Sequence, residues 1–305
     1  MVKNNRKNVI IKILLIVITV LLTKIAMSPV HTDYQVNAWM KNLNDVKCIN
    51  DIVIPGTHDS GSTHSIFDVA GKCQDMKIIN QLNVGVRFLD LRLQLVNDEL
   101  KIVHSFVNQN LYFNDVLEDI NAFIENYDTE FLIVSIKEDN DPKNSTQDFT
   151  DKVLNDLSKY PNVVFDKLPE TVKEARGKIY ILNRFCSQDI GISAYDNWLD
   201  STSFVLNNLY VQDNYSIDSI EHKIDDIQKT FELSKINNDY LYLNFTSCYL
   251  TNAFPPLYAG KPAHKINKWL VEYLMENSVS GVIIMDFVTQ ELVTKICEVN
   301  YEKDK

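Results

Sequence analysis

Glycine and proline are scarce in this sequence, eight of each in 305 residues. With no internal repeat and no Pro/Gly/Ser-rich tract, the chain offers no linker at which to divide it, and one domain is the economical reading. No glycine-rich phosphate loop follows any apolar run, which weighs against a doubly wound nucleotide-binding sheet. The five cysteines, Cys48, Cys73, Cys186, Cys248 and Cys297, form no CxxC pair and no Cys/His ligand spacing, so no zinc centre is expected. Their odd number leaves at least one thiol unpaired within the chain. Positive charge is short as well. The formal net charge is −11, and Lys3, Arg6, Lys7, Lys12 and Lys24 fall in the first 28 residues, which hold no acid, so the remainder sits at −16. A body that acidic excludes a nucleic-acid partner and adhesion to anionic membranes by bulk charge. Any membrane contact would fall to apolar loops.

The longest apolar run, Ile13–Leu22, is ten residues long, half of what a spanning helix needs. It follows the basic stretch Lys3–Lys12 and precedes Ala26-Met27-Ser28, a small-x-small pattern, with Pro29 directly after it. Residues 1–28 therefore read as a signal peptide and the protein as secreted, the alternative being an uncleaved N-terminal anchor that tethers it to the membrane. The remainder, 45% hydrophobic over the whole chain, can bury a substantial core.

Apolar runs alternate with amphipathic stretches. Strands are expected at Asp51–Pro55, Val86–Leu93, Ile102–His104, Phe131–Lys137, Lys178–Asn183, Asn208–Gln212, Tyr240–Asn244 and Gly281–Phe287, several near-continuously apolar as strands buried on both faces are. Helices are expected at Phe113–Tyr127, Thr146–Lys159, Ile217–Leu233, His264–Asn277 and Gln290–Asn300, with Asp115, Thr146 and Asp218 as first-turn or capping residues. Eight strands in alternation predict an irregular (β/α)8 TIM barrel over residues 35–300, with a doubly wound open sheet as the alternative. The helix signal between Asp90 and His104 is missing, and the irregularity is expected there.

Catalytic groups of parallel barrels sit where strands finish. Ionisable residues collect at those places: His58 and Asp59, Asp90 and Arg92, His104, Lys137 and Glu138, Arg184, Asp213 with Tyr215, and Asp286. Each alone has a bland reading as a turn, cap or solvated residue. Asp286 is harder to dismiss, because it ends the uncharged run Gly281–Met285 and a buried carboxylate there needs a partner. Two histidines with carboxylates behind them suit proton transfer at both ends of a phosphodiester, and an arginine can neutralise the charge that develops on phosphoryl oxygens.

The run Ile-Pro-Gly-Thr-His-Asp-Ser-Gly at 54–61 resembles the opening motif of the bacterial phosphatidylinositol-specific phospholipases C. The likeness continues in Arg87–Arg92, Phe131–Lys137, Ala175–Arg184, Val211–Tyr215, Leu243–Ser247 and Gly281–Asp286, in the family's order. The resemblance implies a phospholipase C, a lyase that cleaves phosphatidylinositol, or glycosylphosphatidylinositol anchors, to diacylglycerol and inositol 1,2-cyclic phosphate. It implies His58 as general base held by Asp286, His104 as general acid coupled to Asp59, and Arg92 on the phosphate with Asp90 beside it. Lys137, Arg184 and Asp213 would bind inositol hydroxyls, and the Tyr215 ring would pack on the inositol face.

The pattern departs after His104, where the family's His-Gly is replaced by His104-Ser105-Phe106. Calcium-dependent relatives carry Asn after the first His and acids where this chain has Arg92 and Lys137, so the resemblance implies no metal and no other cofactor. A monomer is expected, in transient contact with a membrane through apolar and aromatic loop residues, Phe67, Phe254 and Tyr258. The competing readings are a metal-dependent barrel phosphodiesterase of the glycerophosphodiester or sphingomyelinase D type, and a non-catalytic lipid-binding exported protein.

Overall fold

A computed structural model describes residues 35–65, 71–252 and 259–302. The predicted signal segment and the membrane-contact candidates Phe67, Phe254 and Tyr258 lie outside the described residues. Seven parallel strands form one curled sheet, in the order Ile179–Arg184, Leu132–Glu138, Phe88–Val96, Val53–Thr57, Gly281–Met285, Leu241–Phe245 and Leu209–Gln212. Every residue of Val53–Thr57, Leu241–Phe245 and Gly281–Met285 is buried, in keeping with their largely apolar composition. Gly56 lets the central strand fit between its neighbours. A Cβ there would meet Phe88 Cβ at 2.9 Å and Val282 Cγ1 at 3.2 Å.

Among the described residues the sheet does not close by a hydrogen-bonded ladder. At one edge the two-residue strands Val163–Val164 and Ile192–Ser193 pair with Ile179–Arg184, and at the other Ser203–Leu206 runs antiparallel to Leu209–Gln212. Across this seam Asn207 donates to the Ser193 carbonyl at 3.1 Å. The fold is thus the irregular α/β barrel expected, but one strand assignment needs correction. Ile102–His104 belongs to an antiparallel hairpin, Glu99–His104 with Val107–Tyr112, hung on the far end of Phe88–Val96, and not to the parallel set. Asn97 and Asp98, at φ 54° and 64°, make the tight turn that starts it. The hairpin is inserted ahead of helix Phe113–Asn126, which leads on to the next parallel strand, Leu132–Glu138, and this accounts for the missing helical pattern between Asp90 and His104.

Five helices fall close to the expected ranges: Phe113–Asn126, Phe149–Leu157, Ile220–Ile236, Gly260–Leu274 and Gln290–Glu302. Two caps differ from expectation. Asp148 and Ser219 accept the capping bonds, while Thr146 is bound instead by Asp98, to which its amide donates at 2.7 Å. At the N-terminal ends of the strands the buried pair Arg87–Glu130, 2.8 Å apart, plugs the barrel floor. The opposite end is left for chemistry.

Candidate active site

His58 follows the Val53–Thr57 strand directly, and its amide donates to the Met285 carbonyl at 2.9 Å. Asp286 follows the neighbouring strand, so adjacent parallel strands deliver the imidazole and its carboxylate to one spot. His58 Nδ1 lies 2.8 Å from Asp286 Oδ1. The residues after each, Asp59 and Phe287, have φ of 43° and 49°. Such left-handed backbone is disfavoured for a phenylalanine and is held here by the packed surroundings. Asn267 fixes this turn by donating to the Asp286 and Phe287 carbonyls.

Asp59 is 1% exposed and stands between the two histidines. Its Oδ2 is 3.3 Å from His58 Nε2 and 3.4 Å from His104 Nε2. Arg92 crosses the same space: Nε reaches Asp59 Oδ1 at 3.0 Å and Asp90 Oδ2 at 3.5 Å, while Nη2 reaches His58 Nε2 at 2.7 Å. Burial would raise the pKa of Asp90, but Arg92 and then Arg184 outweigh it and hold the carboxyl well below the usual range.

The contact from Arg92 needs a lone pair on Nε2, so His58 is neutral in this arrangement, with its proton on Nδ1 facing Asp286. When Nε2 is protonated, Asp59 Oδ2 is the acceptor within reach and Arg92 must turn away. Burial disfavours the charged ring, yet Asp286 and Asp59 together outweigh it, and the pKa is pushed from 6.5 up to about 9. A value raised on folding means that protonated His58 adds stability present in full below pH 6.5 and lost as the pH rises through about 9. Substituting Asp286→Asn is expected to return the His58 titration, followed by NMR of the ring nitrogens, toward or below the ordinary imidazole value. An unchanged midpoint would show that Asp286 is not the cause.

A cavity of about 690 Å³ opens above these groups, lined by His58, Arg92, His104, Asp286 and, on its far walls, Lys137, Arg184, Asp213 and Tyr215. All ten expected catalytic and polar substrate-binding residues therefore meet here, eight on the lining with Asp59 and Asp90 buried behind. Sequence reading missed three participants and one further lining residue. Trp198 lies under Arg184 at 3.6 Å from ring centroid to guanidinium and donates from Nε1 to Asp213 Oδ2 at 3.0 Å, tying two of the expected inositol contacts together. Asp139 sits 3.5 Å from Lys137 Nζ and accepts from the Ser105 amide at 2.8 Å, which pins the turn after His104. Asp200 accepts from the Tyr215 hydroxyl, and this bond first, then burial, pushes the phenol up to about 12. Cys73, a buried thiol, lines the same cavity. Only Asp139, two residues beyond Lys137, carried a signal that could have been used.

Fold and site together define an α/β barrel with a cluster of imidazoles, buried carboxylates and guanidinium charge at the C-terminal ends of its strands. Residues 52–185 match the family model of the phosphatidylinositol-specific phospholipase C X domain. A 1-phosphatidylinositol phosphodiesterase of Listeria monocytogenes is 27% identical over 288 residues, 89% of this chain and 87% of the relative. One from Staphylococcus aureus is 29% identical over 232 residues, 68% of this chain and 74% of the relative. The structure of an F249X mutant of the S. aureus phosphatidylinositol-specific phospholipase C superposes with a TM-score of 0.78 at 26% identity, covering 87% of this chain and 98% of that one. The Listeria enzyme's structure, at 24% identity and a TM-score of 0.69, shares the fold. The chain resembles the bacterial phosphatidylinositol-specific phospholipases C, as its motifs indicated.

Proposed function

We propose that this protein is a phosphatidylinositol-specific phospholipase C that works by intramolecular phosphoryl transfer. The observation that carries the reading is the sharing of one buried carboxylate, Asp59, by two imidazoles beside Arg92. The substrate phosphate draws the guanidinium off Nε2 of neutral His58, a form whose share grows as the pH rises toward about 9, and Nε2 then takes the proton of the inositol 2-hydroxyl as its oxygen bonds to phosphorus. His104 gives a proton to the diacylglycerol oxygen as the P–O bond breaks. Asp286 keeps the His58 tautomer correct and offsets the imidazolium that forms. Arg92 meets the charge developing on the phosphoryl oxygens from a fixed position. Lys137, Arg184 and Asp213 bind inositol hydroxyls, and Tyr215 supports the ring.

Incubation with phosphatidylinositol in EDTA, followed by phosphorus NMR, is expected to give inositol 1,2-cyclic phosphate first. Activity lost to the chelator and restored by calcium would overturn the role given to Arg92. An open-chain phosphate with no cyclic precursor would overturn intramolecular attack.

The lipid must enter from a bilayer, and the cavity mouth carries exposed apolar side chains: Phe106 at 81% exposure, with Leu199 and Tyr195 about half exposed. We assign these to transient membrane contact by a monomer, together with the expected Phe67, Phe254 and Tyr258. Changing Phe106→Ser is expected to weaken vesicle binding several-fold while sparing hydrolysis of soluble cyclic phosphate. Equal loss of both would refute the assignment. The same reading makes residues 1–28 an export signal, cleaved or kept as an anchor, ahead of a catalytic barrel spanning 35–300. Activity found in the medium, or on the outer cell surface, supports export; activity confined to the cytosol refutes it.

A further inference from the structure

Cys73 has no part in the chemistry above, yet its thiol is seated between the two histidine-bearing segments. Its amide donates to the Ser62 carbonyl at 2.8 Å, and its own carbonyl accepts from the Phe287 amide at 2.7 Å. Sγ lies 4.0 Å from Asp59 Oδ2, the oxygen that is 3.4 Å from His104 Nε2, and all three donor atoms fall within 4.8 Å of one another. A tetrahedral zinc ion, with Zn–S of about 2.3 Å and Zn–N and Zn–O of about 2.0–2.1 Å, sets donor–donor edges of about 3.3–3.6 Å. The N–O edge already has that length, and the S–O edge must shorten by a few tenths of an ångström.

We propose that Cys73 Sγ, His104 Nε2 and Asp59 Oδ2 form an inhibitory site for a thiophilic divalent cation such as Zn²⁺. The mixed sulfur, nitrogen and oxygen donors select a borderline-soft ion over calcium or magnesium, which prefer oxygen alone. Arg92 forms its ion pair with the other oxygen of Asp59, Oδ1, at 3.0 Å, which leaves Oδ2 turned to the thiol and the imidazole. Around this point stand three buried carboxylates, Asp59, Asp90 and Asp286, against two guanidiniums, Arg92 and Arg184. With His58 neutral the group carries one net negative charge, and the ion must displace the proton of Cys73, whose thiol pKa is raised by burial and then by Asp286 and Asp59. His58, Cys73 and Asp286 form a second group of three, but their imidazole and carboxylate are already hydrogen-bonded at 2.8 Å, an edge too short for two ligands of one ion. The inhibitory effect rests on the role given to His104, because an ion on Nε2 occupies the nitrogen that would protonate the leaving group. Binding itself does not depend on that role.

The test uses the full chain and Co²⁺ as a spectroscopic substitute. Wild-type protein is expected to develop a thiolate-to-cobalt charge-transfer band in the near ultraviolet that Zn²⁺ abolishes. Cys73→Ala should lose the band while keeping basal activity, and Cys248→Ala, which removes the other cysteine lining the cavity, should retain it. Inhibition by Zn²⁺ should weaken about tenfold or more in Cys73→Ala, since losing a ligand costs at least as much as losing an outer-shell partner. No band in wild type, a band that persists in Cys73→Ala, or equal zinc inhibition of both proteins would overturn the site. If the chain does not cleave phosphatidylinositol, the functional reading fails while the cobalt band still decides the site.

Discussion

Alanine in place of His58 is expected to lower kcat on phosphatidylinositol by about 10³–10⁴-fold, the upper range for removing a positioned proton-transfer group. Three features of the site put the effect at that end. His58 Nε2 is the nitrogen that faces Arg92, hence the phosphate position, at 2.7 Å. Its Nδ1 is bound to a carboxylate that is 1% exposed, so removing the ring also leaves Asp286 without its charged partner. Asp59 lies within 3.3 Å of Nε2 but is engaged by Arg92 and is not free to take over as base. A substrate with a phenol-type leaving group separates the two histidines. Phenoxide departs with little need of an acid, so His104→Ala should recover most of its activity there, whereas His58→Ala should not. A His58→Ala enzyme within tenfold of wild type would move the base elsewhere.

Changing Arg92→Lys is expected to cost about 10²–10³-fold in kcat/KM although the charge is kept, comparable to removing one preorganised donor to a developing anion. One planar guanidinium touches Asp59, Asp90 and His58 at once, at 3.0, 3.5 and 2.7 Å. A lysine ammonium carries a point charge on a flexible stem and cannot span these positions. The loss should be the same in EDTA and in calcium, measured on soluble substrate to keep vesicle binding out of the comparison. Full activity for the lysine variant would mean that charge alone suffices.

Much of this site could be read from the chain because the fold is parallel. Each strand end projects its next residue toward the same opening, so His58, Asp90, Arg92, Arg184 and Asp286 could be gathered from local patterns alone. Asp286 was the clearest, since a carboxylate ending five uncharged residues is costly to bury without a partner. Direction of pairing, by contrast, leaves no mark on composition. Ile102–His104 has the apolar content of a barrel strand yet runs antiparallel, and the turn at Asn97-Asp98 was the signal that went unused. Trp198 and Cys73 were invisible for a different reason. They reach the site from connecting segments whose course depends on tertiary packing, and nothing at their own positions distinguishes them from ordinary core.

The open seam divides the labour of the molecule. His58, Arg92 and Asp286 arise from the three adjoining strands Phe88–Val96, Val53–Thr57 and Gly281–Met285, each flanked on both sides by other parallel strands. Asp213 and Tyr215 follow Leu209–Gln212, whose outer neighbour is the short antiparallel strand at the seam. Amides at such a border open more readily than those in the middle of a sheet. The proposed base and its partners are thus held in the most protected sector and two of the proposed sugar contacts, Asp213 and Tyr215, at the border, so warming should loosen their hold on the sugar before it disturbs proton transfer at His58.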